Sequence, residues 1–320
     1  MMAQNDLLVV GVDVAKDKVD ACIRVLKVRK TCPSTSPGQR ELIAWLRKHK
    51  VSKAVMEASG GYERVWAKAL RRVGIEVRIV DPKRVRSFAQ SAGRLAKNDV
   101  IDAEMIAWFA ETFGEAPGQI DDPAHEELTA LVKARRSLID LRTRLTMQNE
   151  HEAPALVEKA RARLLNKLAG EIETIEAAIG DKIKSTPDLA ERAEIIQSVP
   201  GFAEATAVTL LAGMPELGQV SNSVAAALVG VAPYDDDSGK RYGQRHIKGG
   251  RRWVRNALYM PCVGAATLNN PVFKAFYQRL IAKGKEPKVA LLACMRKLII
   301  ILNTMIARRQ KWDPSRYVSS

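Results

Sequence analysis

The chain has 320 residues, 47% hydrophobic and 27% charged, ordinary proportions for a globular protein of about two domains. Its net charge of +15 and pI near 9.8 favour a polyanionic partner, nucleic acid or an acidic membrane surface. Cys22, Cys32, Cys262 and Cys294 form no C-x-x-C pair and the four histidines are dispersed, which argues against a disulfide framework or a His/Cys metal centre and suits a reducing compartment.

Met1 to Asp6 lack a basic stretch followed by a signal-length apolar run. Leu7 to Val14 is an apolar, β-rich run that reads as a buried central strand, with Asp13 near its end. A carboxylate inside such a strand is costly unless it is paired or binds metal. Ala15 to Lys18 reads as a tight turn and Val19 to Leu26 as a second strand pairing back. Ser36-Pro37-Gly38 punctuates, and Gln39 to Lys50 reads as a helix. A short strand, Lys53 to Glu57, ends in a second carboxylate and is followed by the turn Ala58-Ser59-Gly60-Gly61. A helix over 62–73, a strand over 75–80 and a helix over 84–92 come next.

Lys97-Asn98-Asp99-Val100-Ile101-Asp102-Ala103 then opens a helix reaching about Thr112. Asp99 and Asp102, three residues apart, share one helix face. They fit a solvated first turn, where acids are favoured, or one side of a divalent-metal site. Asp13 and Glu57, each alone, also fit a hairpin or turn. Acids at strand C-terminal ends face the usual binding edge of an open α/β sheet, and four carboxylates converging there would cage hard cations, most naturally two Mg²⁺.

After breaks at 116–118 and 121–123 the pattern turns helical. Leu131, Leu138, Leu141 and Leu145 line one stripe. Leu165, Leu168, Ile172, Ile175 and Ile179 line a second at heptad spacing. Residues 128–184 therefore read as an antiparallel helical pair or coiled-coil arm, packed within the chain or forming a dimer seam. Ser198 to Ala207 is similar to a helix-hairpin-helix turn, whose helix N-terminus takes a DNA phosphate. Ala203 stands where that motif has a second glycine, and an ordinary packing turn fits as well. A helix over 224–229 ends at Gly230 to Tyr234, followed by the polar loop Asp235 to Lys240.

Residues 238–320 hold 18 Lys/Arg against two acids, about the whole charge excess. Lys240, Arg241, Arg245, Lys248, Arg251, Arg252 and Arg255 form its leading run. With Tyr242, Trp253 and Gly249-Gly250 among them, they favour a phosphate-binding surface over a merely solvated face. Helices over 271–282 and 289–306 close the chain. The most apolar late run, Leu298 to Leu302, is far short of a membrane span, and Trp312 is a candidate anchor for the tail.

These residues resemble the DEDD transposases of the insertion-sequence-110 family, which includes Piv/MooV-type DNA invertases. The resemblance is carried by Gly11-Val12-Asp13-Val14-Ala15-Lys16, Glu57-Ala58-Ser59-Gly60, the 97–103 segment, Val199-Pro200-Gly201, Gly230-Val231-Ala232-Pro233 with Ser238-Gly239, Ile247 to Gly250 and Arg255 to Leu258. It spans nearly the whole chain in the family's order. Asn98 stands in place of a more usual threonine, and Ala203 in place of glycine.

The resemblance implies an α/β, RNase H-like (RuvC-like) domain over 1–116. A helical coiled-coil linker over 117–185 and a mainly α C-terminal transposase domain over 186–320 follow it. It implies Mg²⁺ (or Mn²⁺) on Asp13, Glu57, Asp99 and Asp102, and Ser238 as a nucleophile that forms a phosphoserine link. Ser238 would meet the acids within one chain or across an oligomer interface. Its implied partners are donor and target double-stranded DNA, a non-coding bridge RNA and further copies of the chain as a dimer or tetramer. The implied setting is the prokaryotic cytoplasm, at the nucleoid, with no membrane. Spacing alone gives Ser238 no such role, since a serine in an acidic loop is ordinarily a solvated turn residue. The alternative is a metal-dependent structure-specific nuclease, a junction resolvase in which water attacks. A non-catalytic nucleic-acid binder with structural acids is the third class.

Overall fold

The computed structural model describes residues 8–94, 99–113, 123–148, 153–238, 243 and 245–317. The chain divides into two compact units, residues 1–119 and 120–320, the first built on a sheet and the second almost wholly helical.

Unit 1 contains β1 (Val9–Val14), β2 (Lys18–Ile23), β3 (Val28–Pro33), α1 (Ser36–Lys48), β4 (Lys53–Glu57), α2 (Tyr62–Arg71), β5 (Glu76–Val80), α3 (Pro82–Ser91) and α4 (Asp99–Thr112). Its five-stranded sheet has the order β3-β2-β1-β4-β5. β1, β2 and β3 pair antiparallel, while β4 and β5 continue parallel to β1.

Side chains alternate across a strand, and here the alternation separates two cores. Val10, Val12, Val14, Ala54 and Met56 pack with Leu42, Leu46, Trp66 and Leu70 of α1 and α2. Val9 and Val55 face the other way, toward Val85 and Ala89 of α3 and Met105, Ile106 and Phe109 of α4. Asp13 and Glu57 have the parity of Val9 and Val55, so they lie on the α3/α4 side.

Two sequence expectations differ from the structure here. β3 was not expected, because Val28-Arg29-Lys30-Thr31 is polar. It is the edge strand, its alternate side chains face solvent, and periodicity is weak where one face has no core. Ser36-Pro37-Gly38 does not break the chain but forms the first turn of α1, capped by Thr35, whose hydroxyl accepts from the Gly38 amide at 3.3 Å. Proline is favoured there because first-turn amides have no helical acceptor. Gly38 sits so close to the Pro33 carbonyl that a Cβ would collide with it.

Unit 2 begins with α5 (Pro123–Met147) and α6 (Ala155–Ser185). They run antiparallel, since Glu127 pairs with Lys182 and Arg135 with Glu176. Leu128, Val132, Ile179 and Ile183 bury the base of this pair in the unit's core, and Thr129 donates to the Ala212 carbonyl at 3.1 Å. Leu141, expected on the buried stripe, is 45% exposed, and the far end of the pair also exposes Leu156 and Leu164.

The rest comprises α7 (Pro187–Gln197), α8 (Glu204–Gly213), α9 (Asn222–Val229), the short strands β6 (Pro233–Tyr234) and β7 (His246–Ile247), α10 (Arg252–Gly264), α11 (Pro271–Ala282) and α12 (Pro287–Ala307). By length and composition α12 as a whole could cross a membrane, unlike the short apolar run singled out above. Its Leu298, Ile299 and Leu302 are fully buried in unit 2, which makes it the central core helix. Trp312 does anchor the tail: it stacks on Phe273 and Tyr317, and its amide donates to Ser198 Oγ at 2.8 Å.

Candidate active site

The acids of unit 1 are placed by strand register. Val12 pairs with Met56 in the parallel β1/β4 ladder, so one step further Asp13 and Glu57 end neighbouring strands on the same face. α4 covers that face, and the contact is close at Gly11. A Cβ there would collide with the Ala103 carbonyl and the Ala107 amide, so only glycine lets the helix backbone lie on the strand. Val9 packs toward Met105, Ile106 and Phe109, which sets α4 antiparallel to β1. Its N-terminal turn therefore stands at the strand end that carries Asp13. Asp102 lies in that turn, half-buried, one residue before the Gly11 contact. Asp99 is the first residue of α4, but its side chain, like Lys97 and Asn98, lies outside the described residues.

Several supporting residues were not legible as site residues. Glu63 is buried, and its Oε2 accepts from the Ser59 amide at 2.9 Å and the Gly61 amide at 2.8 Å. It thereby fixes the turn that follows Glu57, and the Ala58 amide bonds the Val80 carbonyl at 3.1 Å. The only advance signal was an acid in a helix's first turn. Asp20 is paired directly across from Asp13 and is nearly buried. The Thr31 hydroxyl donates to it and Lys18 Nζ lies 3.2 Å away. On α4, Glu111 bonds Arg24 Nε at 2.7 Å and Glu104 pairs with Arg29, fastening the helix to the antiparallel half of the sheet.

The donor chemistry fits a hard cation, since carboxylate oxygens suit Mg²⁺. Among the described residues no three Asp, Glu, His or Cys side chains close on a single point. The fit is thus one of donor type and shared placement at the strand ends.

Ser238 lies in unit 2, exposed, at the end of a loop that leaves the helical core at Gly230 and returns at Arg251. The neck of this loop is tightly made. Gly230 (φ +82°) and Gly250 (φ +70°) are left-handed and approach so closely that a Cβ on either would strike backbone of the other strand of the neck. The Arg251 amide donates to the Leu228 carbonyl at 2.7 Å. Its guanidinium holds Glu216 through two bonds, Nη1 at 2.7 Å and Nη2 at 2.5 Å, and the Gly213 carbonyl at 2.7 Å. Arg255 Nη1 donates to the Gly230 carbonyl at 2.9 Å and the Gly249 carbonyl at 3.0 Å. Beyond the neck, β6 and β7 pair, and the Gly243 amide donates to Asp237 at 2.9 Å.

The basic run is thus of two kinds. Arg251 and Arg255, expected to hold nucleic acid, are committed to the fold. Arg245 pairs with Asp235 on the surface at 2.5 Å. Lys248 and Arg252 are exposed, while Lys240 and Arg241 lie outside the described residues. The turn at Pro200-Gly201 joins α7 to α8 with Gly201 at φ +93°. Most of α8 is core, and only its first residues face solvent.

Residues 10–151 match a family model described as a transposase, the DEDD domain of IS110 elements. Residues 193–278 match the model of the transposase IS116/IS110/IS902 family. The pilin gene-inverting protein of Moraxella bovis is 28% identical over 318 residues, covering 95% of this chain and 97% of that protein. The transposase for insertion sequence element IS1111A of Coxiella burnetii is 26% identical, covering 75% of this chain and 72% of that protein.

Proposed function

Because the chain belongs to the IS110 family of transposases and is a DNA transposase or recombinase, we propose that it cuts and rejoins DNA with a carboxylate-held metal and a serine that becomes linked to the strand. The observation that carries this is the shared placement of Asp13, Glu57 and the first turn of α4 on one face at one edge of the sheet. The mixed sheet centred on β1 also supports an RNase H-like reading of residues 1–116, followed by a helical linker over 117–185 and a transposase domain over 186–320.

Asp13, Glu57, Asp99 and Asp102 would hold the metal, Mg²⁺ or Mn²⁺. When bound, it supplies charge relief on the phosphoryl oxygens of the scissile group. Ser238 Oγ attacks the phosphorus and gives up its proton to solvent. The bond from phosphorus to one deoxyribose oxygen breaks, and that oxygen takes up a proton. A hydroxyl of the recipient strand then attacks the phosphoserine and restores Ser238. The covalent link keeps the phosphodiester's energy, so rejoining needs no external source. Lys248 and Arg252, with Lys240, Arg241 and Arg245, hold the strand that Ser238 attacks. Donor and target DNA are selected by pairing with a bridge RNA, and the enzyme works in the cytoplasm as a dimer or tetramer.

One observation favours a second reading, a junction resolvase using water: the carboxylates and Ser238 belong to different compact units. Ser238→Ala separates the two. Loss of both strand exchange and the covalent protein–DNA adduct is expected, whereas undiminished cleavage would establish the resolvase. Retained recombination in Asp102→Ala would remove the metal role. Sequencing of nucleic acid that co-purifies with the protein tests the RNA component, and recovery of DNA alone would remove it.

A further inference from the structure

We propose that the groove between α3 and the C-terminal end of α4 is a binding site for single-stranded DNA, distinct from the basic run after Ser238. It rests on the DNA-acting role above but not on its chemical steps.

The groove measures about 420 Å³ and lies wholly within unit 1. Lys83, Arg84, Ser87 and Ser91 line it from α3, and Phe109 and Phe113 from the α4 side. Residues 83, 84, 87 and 91 fall on one helix face. The stretch Pro82 to Arg94 contains no acid, and among the described residues neither Lys83 nor Arg84 has a carboxylate partner. The Arg84 guanidinium lies 5.4 Å from the Phe109 ring centre, which orders it without neutralising it. Among the described residues the charge here is therefore unpaired with a carboxylate and partly fixed, as a phosphate site requires.

The second feature is aromatic. Phe113 is 42% exposed, although Phe88 meets it edge-on at 5.6 Å and Phe109 lies tilted against it at 4.9 Å. Arg78 Nη1 holds its carbonyl at 3.2 Å. A ring fixed by its neighbours but left half open, with cations beside it, is the arrangement that binds unpaired nucleotides. The cations take phosphate and the ring stacks a base of any identity. Duplex DNA offers no free base face to such a ring.

Placement gives the groove its use. β5 runs parallel to β4 and β1 and ends at the same sheet edge, and α3 starts directly after it. Strands are spaced about 4.8 Å apart, so α3 begins roughly 10 Å from Asp13, on the same sheet face. Because α4 runs antiparallel to β1, Phe113 lies about 16 Å along the helix from Asp102, so the groove would lead an unpaired strand end away from the carboxylates, its phosphates at Lys83 and Arg84 and a base on Phe113.

The test uses the full-length protein and a fluorescent oligo-dT, with a hairpin duplex and an oligo-rU as comparison probes, in the absence of divalent metal. Lys83→Ala with Arg84→Ala is expected to weaken oligo-dT binding about tenfold, to lower its salt slope by roughly 1, and to leave duplex binding nearly unchanged. Phe113→Ala is expected to weaken it several-fold, with Phe113→Trp restoring it, which separates stacking from misfolding. Light-induced cross-linking of an iodouracil-substituted strand to the wild-type protein should map to the peptide containing Phe113. Unchanged oligo-dT binding, equal losses for duplex, or a larger loss for oligo-rU would each overturn the proposal. Binding is read without cleavage, so a failed Ser238 mechanism leaves this result intact, and the reverse holds as well.

Discussion

The carboxylate edge of unit 1 and the Ser238 loop of unit 2 are built in opposite ways. At the edge, strand register and helix packing place the functional groups, and two acids stand on adjacent strand ends because their strands pair in one register. In the loop, order among the described residues is concentrated at the neck in two glycines, Arg251 and Arg255, with Ser238 in a single β-bridge beyond it. Rigid elements fix a position to a fraction of an ångström, whereas the loop is held by side-chain and backbone bonds at its base. The difference would suit the roles proposed above, a fixed carboxylate geometry on one side and a serine that becomes attached to DNA on the other.

The sharpest way to break this comparison is chemical. Asp13→Asn should reduce strand cleavage by roughly three orders of magnitude or more, in line with the several kcal/mol that metal stabilisation supplies. The melting temperature should stay equal or rise, since Asp20 stands directly opposite. Cleavage assays beside thermal melts would show it, and a large loss of stability would make Asp13 structural.

Next in size is the neck. Arg251→Met leaves the Glu216 carboxylate, whose side chain is 7% exposed, without its partner. This should cost unit 2 about 3 kcal/mol in denaturant unfolding, with Glu216→Gln in the same chain recovering part. Adduct formation should fall more than that stability loss explains if the neck positions Ser238.

Gly11→Ala comes third. The added methyl pushes α4 off β1 and should destabilise unit 1 by about 1–3 kcal/mol, with activity falling further as the first turn of α4 moves.

The smallest effect is in pH. Burial raises the thiol of Cys294 to about 11 and raises Cys262 further. A folded-state pKa above the unfolded value of 9.0 means that the thiols' contribution is complete below pH 9. It is lost as pH rises toward 11. Melting temperature measured across that window should fall, and Cys294→Ala should flatten the decline.

Much of unit 1 was legible because its signals are local and periodic. The apolar run of β1, the acid ending β4 and the acid pair opening α4 all follow from alternation and helix spacing. What failed was the edge: β3 has one solvent face, so its pattern is diluted. The role proposed for Ser238 comes only from family resemblance, because an exposed serine beside acids has no physical signature. The roles of Arg251 and Glu63 were not legible either. Each depends on a partner whose approach is set by the fold, and an arginine inside a basic run gives no sign that it faces inward toward a distant glutamate.

The clasp formed by Gly230 and Gly250 has a consequence for how such chains can change. Because the neck closes on itself, the helices on either side do not register how much chain lies between. Residues can be added to or removed from the excursion, and even its backbone cut once, while α9 and α10 stay joined through the Arg251 and Arg255 bonds. The segment carrying Ser238 is therefore a replaceable part: its length and sequence can change without any accompanying change in the core that carries it.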